Sequence, residues 1–174
     1  LVSSPKAQMA VGPAFTVKCR AGDNLALHAA LNYCQEGDFL VVSNEEDDTR
    51  ALMGEVMMAY LYLRKKVAGI VIDGPIRDID EIADLKFPVY LGGTSPVKSA
   101  RIMETVDVDV PVFLGGVQIC PEDLVLMDRT GVAVVPSAHL KEVLLEAEKI
   151  KAKEDRIESK VRSGMSLNEA RQQK

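Results

Sequence analysis

Several common chemistries lack their residues in this chain. The 174 residues include three cysteines and two histidines. Cys19, Cys34 and Cys120 lie far apart with no Cys-x-x-Cys pair, so a zinc site is not expected and the thiols read as reduced. No Gly-x-Gly-x-x-Gly, Walker loop, Gly-x-Ser-x-Gly or His-Glu-x-x-His is present. Nucleotide-binding, serine-hydrolase and zinc-protease readings therefore have no support. No apolar run approaches the roughly 20 residues of a membrane span. No signal peptide is visible either, so no membrane partner is expected and the expected location is cytoplasmic. The net charge of −5 argues against a general nucleic-acid surface. The chain opens on Leu1 rather than Met, which leaves room for an N-terminal element outside this sequence.

What is present is an ordinary globular composition, 47% hydrophobic and 27% charged. The length suits one domain, residues 1–174, with a helical tail from about 137. Residues 12–19 (GPAFTVKC) read as a strand after a Gly-Pro turn. Asp23 or Asn24 can cap a helix running to about Tyr33. Phe39 to Ser43 reads as a short buried strand. A second helix is expected from Thr49 or Ala51 to Lys66, apolar on most sides and so buried on most sides, against a sheet and a neighbouring subunit. Val67 to Ile72 has no alternation, as for a strand covered on both faces. A tight Asp73-Gly74-Pro75 turn then leads to a short helix over 78–85. A strand over 87–91 is expected to close at Gly92-Gly93. Beyond it lies a β-rich half, 110–135, whose Gly-rich turns suggest antiparallel pairing. A long amphipathic helix follows over 137–162, with a last turn or two at 166–171. The segments EGDFLVVS and PEDLVLMD look alike and raise the possibility of an internal repeat.

The most informative stretch is Leu52 to Glu81, which delivers Arg77 and Asp78 side by side at a strand's carboxyl end. Open α/β sheets place ligands there. Arginine can clamp a carboxylate with two parallel hydrogen bonds, and aspartate can hold a hard divalent cation. The plainer alternative is a surface pair in which Asp78 caps the next helix. Asp80 and Glu81 add carboxylates nearby. Backbone N–H groups around Gly54, Glu55, Val56 and Met57 would form an anion site if a helix begins there. A glycine tolerated inside a longer helix is the alternative. His28 and His139 have no partner at useful spacing and read as structural. Lys65 and Lys66 end a helix and look too exposed for Schiff-base chemistry. Met53, Met57 and Met58 read as core filling.

Taken in order, GPAFTVKCRAGDNLALHAAL, LMGE, VAGIVIDGPIRDIDEI, FPVY and PVFLGGVQICPEDLVLMDRTGVAVVP resemble the RraA-like family. That family comprises class II 4-hydroxy-4-methyl-2-oxoglutarate/4-carboxy-4-hydroxy-2-oxoadipate aldolases and ribonuclease activity regulators. The likeness runs from about Val11 to Arg171 and is most specific between Gly54 and Glu81. There the helix is a residue longer than the family's usual pattern. The resemblance implies an α/β fold: a compact α/β/β sandwich of the swivelling type, with a mixed sheet and a β-rich C-terminal half. It implies that Gly54, Glu55, Val56 and Met57 bind the pyruvoyl carboxylate, that Arg77 contacts the keto-acid end, and that Asp78 ligates Mg²⁺ or Mn²⁺. Glu81 fits the motif's final acid, and Glu154 from a neighbour is the acid expected to complete the metal's outer shell. Homotrimers or dimers of trimers are implied.

The implied chemistry is metal-dependent retro-aldol cleavage of a 4-hydroxy-2-oxo acid to pyruvate, with oxaloacetate decarboxylation through the same enolate. A metal-associated water is the expected base. The competing reading is a protein-binding regulator of RNA degradation. A quinone-pathway methyltransferase is discounted for want of a nucleotide-type glycine loop.

Overall fold

The computed structural model describes the backbone at Val2–Ser3 and the residues 9–100 and 106–172. They form two compact units, divided between Ser137 and Ala138. In the first unit, largely apolar strands make the middle of a sheet. β2 (Ala10–Lys18), β3 (Phe39–Ser43), β4 (Gly69–Ile76) and β5 (Val89–Thr94) lie in the order β5-β4-β3-β2 and are parallel. β1 (Val2–Ser3) pairs antiparallel with β5, and β6 (Asp107–Val108) with β2. The first half of β2 pairs antiparallel with β9 (Leu124–Met127), which pairs with β10 (Val132–Val135). A separate hairpin joins β7 (Val112–Leu114) to β8 (Val117–Ile119).

Alternate residues of the central strands feed two different cores, because side chains of a strand point to opposite faces in turn. Leu40, Val42, Ile70 and Ile72 pack with α1 (Leu25–Tyr33), α2 (Glu55–Ala59) and α3 (Ile79–Leu85) residues such as Leu27, Met58 and Ile82. Phe39, Val41 and Val71 pack instead with Val112, Leu114, Ile119, Val125 and Met127 of the β-rich half. Helices cover one face and β-hairpins the other, which is the α/β/β arrangement expected. Burial on both faces explains why β3 carries no polar alternation: all five of its residues are buried.

Several sequence expectations are corrected. The second helix starts at Glu55, not at Thr49 or Ala51. Residues 51 and 53 are extended and bridge to Lys98 and Ile76, and the N–H groups of Ala51 and Leu52 donate to the carbonyls of Val97 and Pro75. Long-range backbone pairing thus wins over local helix propensity. From Tyr60 to Lys65 this helix continues as a π-helix and ends at Lys66 in the left-handed region (φ 56°). It is not buried on most sides: Met58 and Leu61 are core residues, while Val56, Tyr60 and Leu63 face outward.

Asp73-Gly74-Pro75 is not a turn. β4 runs through it with a shift in register between Ile72 and Pro75. Gly92 does not end β5 either; a Cβ there would overlap the Asp73 carbonyl, so glycine lets the irregular strand lie close. The two look-alike segments take different roles, β3 being parallel to β2 and β9 antiparallel.

The second unit holds α4 (Leu140–Arg162) and α5 (Leu167–Gln172). α4 buries none of its residues, and ion pairs such as Lys149–Glu146 and Arg162–Glu158 line its surface. Ser166 and Glu169 form a reciprocal capping box at the start of α5. Among the described residues, no helix is long and apolar enough to cross a membrane.

A half-buried acid tests the electrostatics of the sheet end. Asp73 accepts hydrogen bonds from the Asn44 N–H and the Ser43 hydroxyl, yet burial raises its pKa above the ordinary 3.8. A carboxyl raised in the folded state favours folding while protonated, and that contribution is lost as pH rises through the folded pKa. Asp73→Asn removes the titration. Thermal melts from pH 4 to 8 are therefore expected to show the variant gaining on the wild type as pH rises.

Candidate active site

The stretch 51–53, bridged at Ala51 and Met53 and bent at Leu52, lies beside the carboxyl ends of the parallel strands and leads to Gly54, the N-cap of α2. Met53 bridges Ile76, and its carbonyl accepts the Arg77 N–H at 3.1 Å. This pairing seats Gly54 directly against the Arg77-Asp78 pair. A Cβ on Gly54 would overlap Asp78 Oδ2 and come within 2.9 Å of Arg77 Nε. Glycine is present here for close approach, not for helix packing.

Asp78 sits at the N-cap position of α3 with φ 59°, a left-handed conformation uncommon outside glycine. Its side chain makes no bond to α3. Oδ2 accepts the Glu55 N–H at 3.1 Å and faces Arg77 Nε at 3.3 Å. The acid thus caps the helix 23 residues upstream. The Met58 N–H donates to the Gly54 carbonyl. The amides of Val56 and Met57 lie in the first turn, where no intrahelical acceptor exists.

Two hollows meet at Arg77. One, of about 710 Å³, is lined by Gly54, Val56, Met57 and Arg77, with apolar walls from Leu52 and Met53. The other, of about 350 Å³, is lined by Arg77 and Asp78 with Ile79, Thr94 and Ser95. Arg77 therefore divides a larger cavity from the cleft that holds Asp78. Glu55 contributes its backbone, and its side chain is exposed. Glu81 is exposed in the first turn of α3 and lines neither hollow. Glu154 is exposed on α4, in the second unit.

Residues beyond the motif also reach the larger cavity. His28, expected to be structural, lines it with Asn24, Arg50, Lys98 and Ser99. Asn24 is buried; its Nδ2 donates to the Leu52 carbonyl at 2.8 Å while Oδ1 has no partner. No spacing in the sequence marks these residues, because extended pairing of Ala51 with Lys98 brings them together. Met53 and Met58 fill the core as expected and Met57 packs against it, while Met53 and Met57 also line the cavity.

Lys65 caps α1 through the carbonyls of Asn32 and Cys34, and Lys66 pairs with Glu36. His139 faces Glu142 at 3.7 Å in the second unit. The three cysteines are free, and burial pushes the Cys19 thiol up to about 12.

For a hard cation the donor set is small. Among the described residues, no group of three or more His, Cys, Asp or Glu side chains could hold a metal. Asp78 Oδ1 accepts no hydrogen bond from them, and it stands beside an open cleft with hydroxyl neighbours. One carboxylate plus water and substrate oxygens suits Mg²⁺, which dehydrates reluctantly. The residues present fit such an ion and do not fit a fully protein-built cage.

Comparison with known proteins agrees with this architecture. The family model described as "RraA-like: Aldolase/RraA" matches residues 2–134. A protein of Halalkalibacterium halodurans named "Putative 4-hydroxy-4-methyl-2-oxoglutarate aldolase" is 35% identical over 145 residues, 83% of this chain and 68% of that protein. Two further curated relatives are longer, and the matched parts span 27% and 50% of their lengths. The crystal structure of an uncharacterized protein from Pseudomonas syringae pv. tomato superposes with TM-score 0.86 at 31% identity, covering 98% of this chain and 79% of the other. The RNA-processing inhibitor RraA from Thermus thermophilis gives TM-score 0.70 at 26% identity over 77% of this chain and 80% of its own. With its parallel sheet, its second β layer and its Gly54–Arg77–Asp78 junction, this chain belongs to the RraA-like family.

Proposed function

We propose that the protein is a divalent-metal-dependent lyase that cleaves 4-hydroxy-2-oxo acids of the 4-hydroxy-4-methyl-2-oxoglutarate type to pyruvate. Decarboxylation of oxaloacetate accompanies it, since both reactions leave the same enolate. The observation that carries the reading is the seat of Gly54 against Arg77 and Asp78, with two first-turn amides beside them. The aldolase-named relative supports the reaction class.

Each residue has a task that follows from its contacts. Asp78 engages Arg77 through Nε, so the two terminal guanidinium nitrogens remain for a carboxylate, the fork geometry arginine provides. The Val56 and Met57 N–H groups and the positive end of the helix dipole add to the same anion site. Together they fix the keto acid so that the scissile carbon–carbon bond lies over the cavity. As that bond breaks, the 4-hydroxyl gives its proton to a water and becomes the carbonyl of the departing product, while the electron pair of the broken bond moves toward the keto oxygen as an enolate that later takes up a proton to give pyruvate. Arg77 places fixed positive charge near that developing charge, and such preorganised stabilisation is a main source of rate. Leu52, Met53 and Met57 wall the cavity and limit water around the carbanionic carbon. Asp78 would hold Mg²⁺ or Mn²⁺, which when bound supplies Lewis-acid polarisation of the keto group.

The expected assembly is a trimer or a pair of trimers. The outward Val56, Tyr60 and Leu63 support it, and Glu154 is the acid one subunit would lend another.

Pyruvate release from oxaloacetate and from hydroxymethyl-oxoglutarate with Mg²⁺ tests the proposal. EDTA and Asp78→Ala are each expected to lower kcat/KM by at least about 100-fold, the size of a lost electrostatic stabiliser. Full activity in the chelated enzyme or in the variant overturns the metal role. Turnover of no keto acid, with capture of an RNA-degrading enzyme, would replace the proposal by the regulator reading.

A further inference from the structure

Cleavage of a hydroxy acid needs a group that takes the hydroxyl proton, and the larger cavity offers few. Among the described residues that line it there is no aspartate or glutamate. Its charged side chains are Arg50, Arg77 and Lys98, and arginine and exposed lysine are protonated at neutral pH. Ser99 brings a hydroxyl and Asn24 an amide, and neither is a base. His28 is left, the one residue type in this lining that exchanges a proton between pH 5 and 8.

The start of α1 sets where the imidazole stands. Asn24, the N-cap, is buried, and its Nδ2 fastens it to the Leu52 carbonyl at 2.8 Å. The His28 N–H donates to the Asn24 carbonyl at 3.0 Å. Residues four apart share a helix face, so His28 stands about 6 Å along the axis from the residue tied to Leu52. Leu52 in turn lies two residues before Gly54. The imidazole is half-buried, and α1 carries no charged residue of its own. The strands packed on α1, β2 and β6, bring Lys18 and Asp107, both exposed. Asp23 accepts the Leu25 N–H, and Lys65 caps the far end of the helix.

We propose that His28 is the proton acceptor of the cleavage, drawing the 4-hydroxyl proton through the water that first receives it. This rests on the reading of the Gly54–Arg77 end as the keto-acid site. The substrate O–H bond breaks and an N–H bond forms on the imidazole. The bond between C3 and C4 gives its electron pair to the enolate, and C4 becomes a carbonyl. The imidazolium then returns its proton through water to C3, which completes pyruvate and leaves the histidine as it began. Loss of CO₂ from oxaloacetate releases no hydroxyl proton, and its enolate takes one from solvent.

The two reactions therefore separate the role of His28 from a structural one. His28→Gln is expected to lower kcat for hydroxymethyl-oxoglutarate cleavage by about 100-fold or more, the range of general base catalysis, and to leave oxaloacetate decarboxylation within about threefold. Wild-type cleavage is expected to slow on the acid side, a limb absent from wild-type decarboxylation and from the residual cleavage of the variant. The chain has two histidines, so proton NMR can follow both imidazoles. Pyruvate with Mg²⁺ is expected to move the His28 resonances and not those of His139. A melting curve checks that the variant folds. Equal loss of both reactions in the variant, unchanged cleavage, coincident wild-type pH profiles, or a His28 resonance that pyruvate leaves in place overturns the proposal while the lyase reading stands. Turnover of neither substrate by the wild type overturns both.

Discussion

Gly54→Ala is expected to lower kcat/KM for keto-acid cleavage by on the order of 1,000-fold while leaving the protein folded. The added methyl would occupy the place of Asp78 Oδ2 and crowd Arg77 Nε and Cγ, at 2.9 and 3.0 Å. Neither neighbour can yield alone. Asp78 is held by the Glu55 N–H and by Arg77, and its left-handed backbone fixes where its side chain starts. Relief must come by pushing the carboxylate and guanidinium off their shared seat, which breaks the bond to the Glu55 N–H, or by turning the start of α2, which displaces the amides of Val56 and Met57. A misplacement of about 1 Å at a reacting site can cost 100-fold. Here the anion site, the guanidinium and the metal-binding carboxylate shift together. Steady-state kinetics beside a thermal melt check it. Near-normal kcat/KM would show that the junction is not the reaction centre.

Phe39→Ala is expected to destabilise the first unit by about 3–5 kcal/mol, the range for a buried aromatic cut to alanine. Phe39 is wholly buried in the core between the sheet and the β-rich half. Its ring packs where a Gly69 Cβ would stand, within 2.8 Å of Cε2, so that glycine exists to admit the ring. Removing it leaves a void under two central strands, and the rigid sheet cannot close over it. Chemical denaturation with an unchanged m value would report the loss. A change below about 1 kcal/mol would mean the two layers do not depend on one interdigitated core.

How far the sequence revealed this site depends on whether contacts are local or distant. The central strands were legible because runs such as Phe39 to Val42 are apolar at every position, which two-sided burial explains. The Arg77-Asp78 pair was legible from its place after such a run. The start of α2 was not. Ala51, Leu52 and Met53 have good helix propensity, and only partners 23 to 47 residues away hold them extended. The Asp73-Gly74-Pro75 stretch reads as a turn on composition, yet β5 bends with it and the strand continues. Arg50 and Lys98 carried no signal, since sheet pairing alone brings them to one cavity. Even the Asp78 carboxylate misleads locally: it stands at the start of α3 but serves α2.

The π-helical stretch from Tyr60 to Lys65 has a further consequence. Gly54 must stay seated on Arg77, and β4 must begin in register with β3, so both ends of the connecting helix are pinned. In an α-helix one more residue would swing everything after it by about a quarter-turn, since 3.6 residues complete a turn. A widened coil swallows the surplus instead. The wider coil thereby takes up helix length between two fixed anchors, and neither the anion-binding end nor the sheet has to adjust.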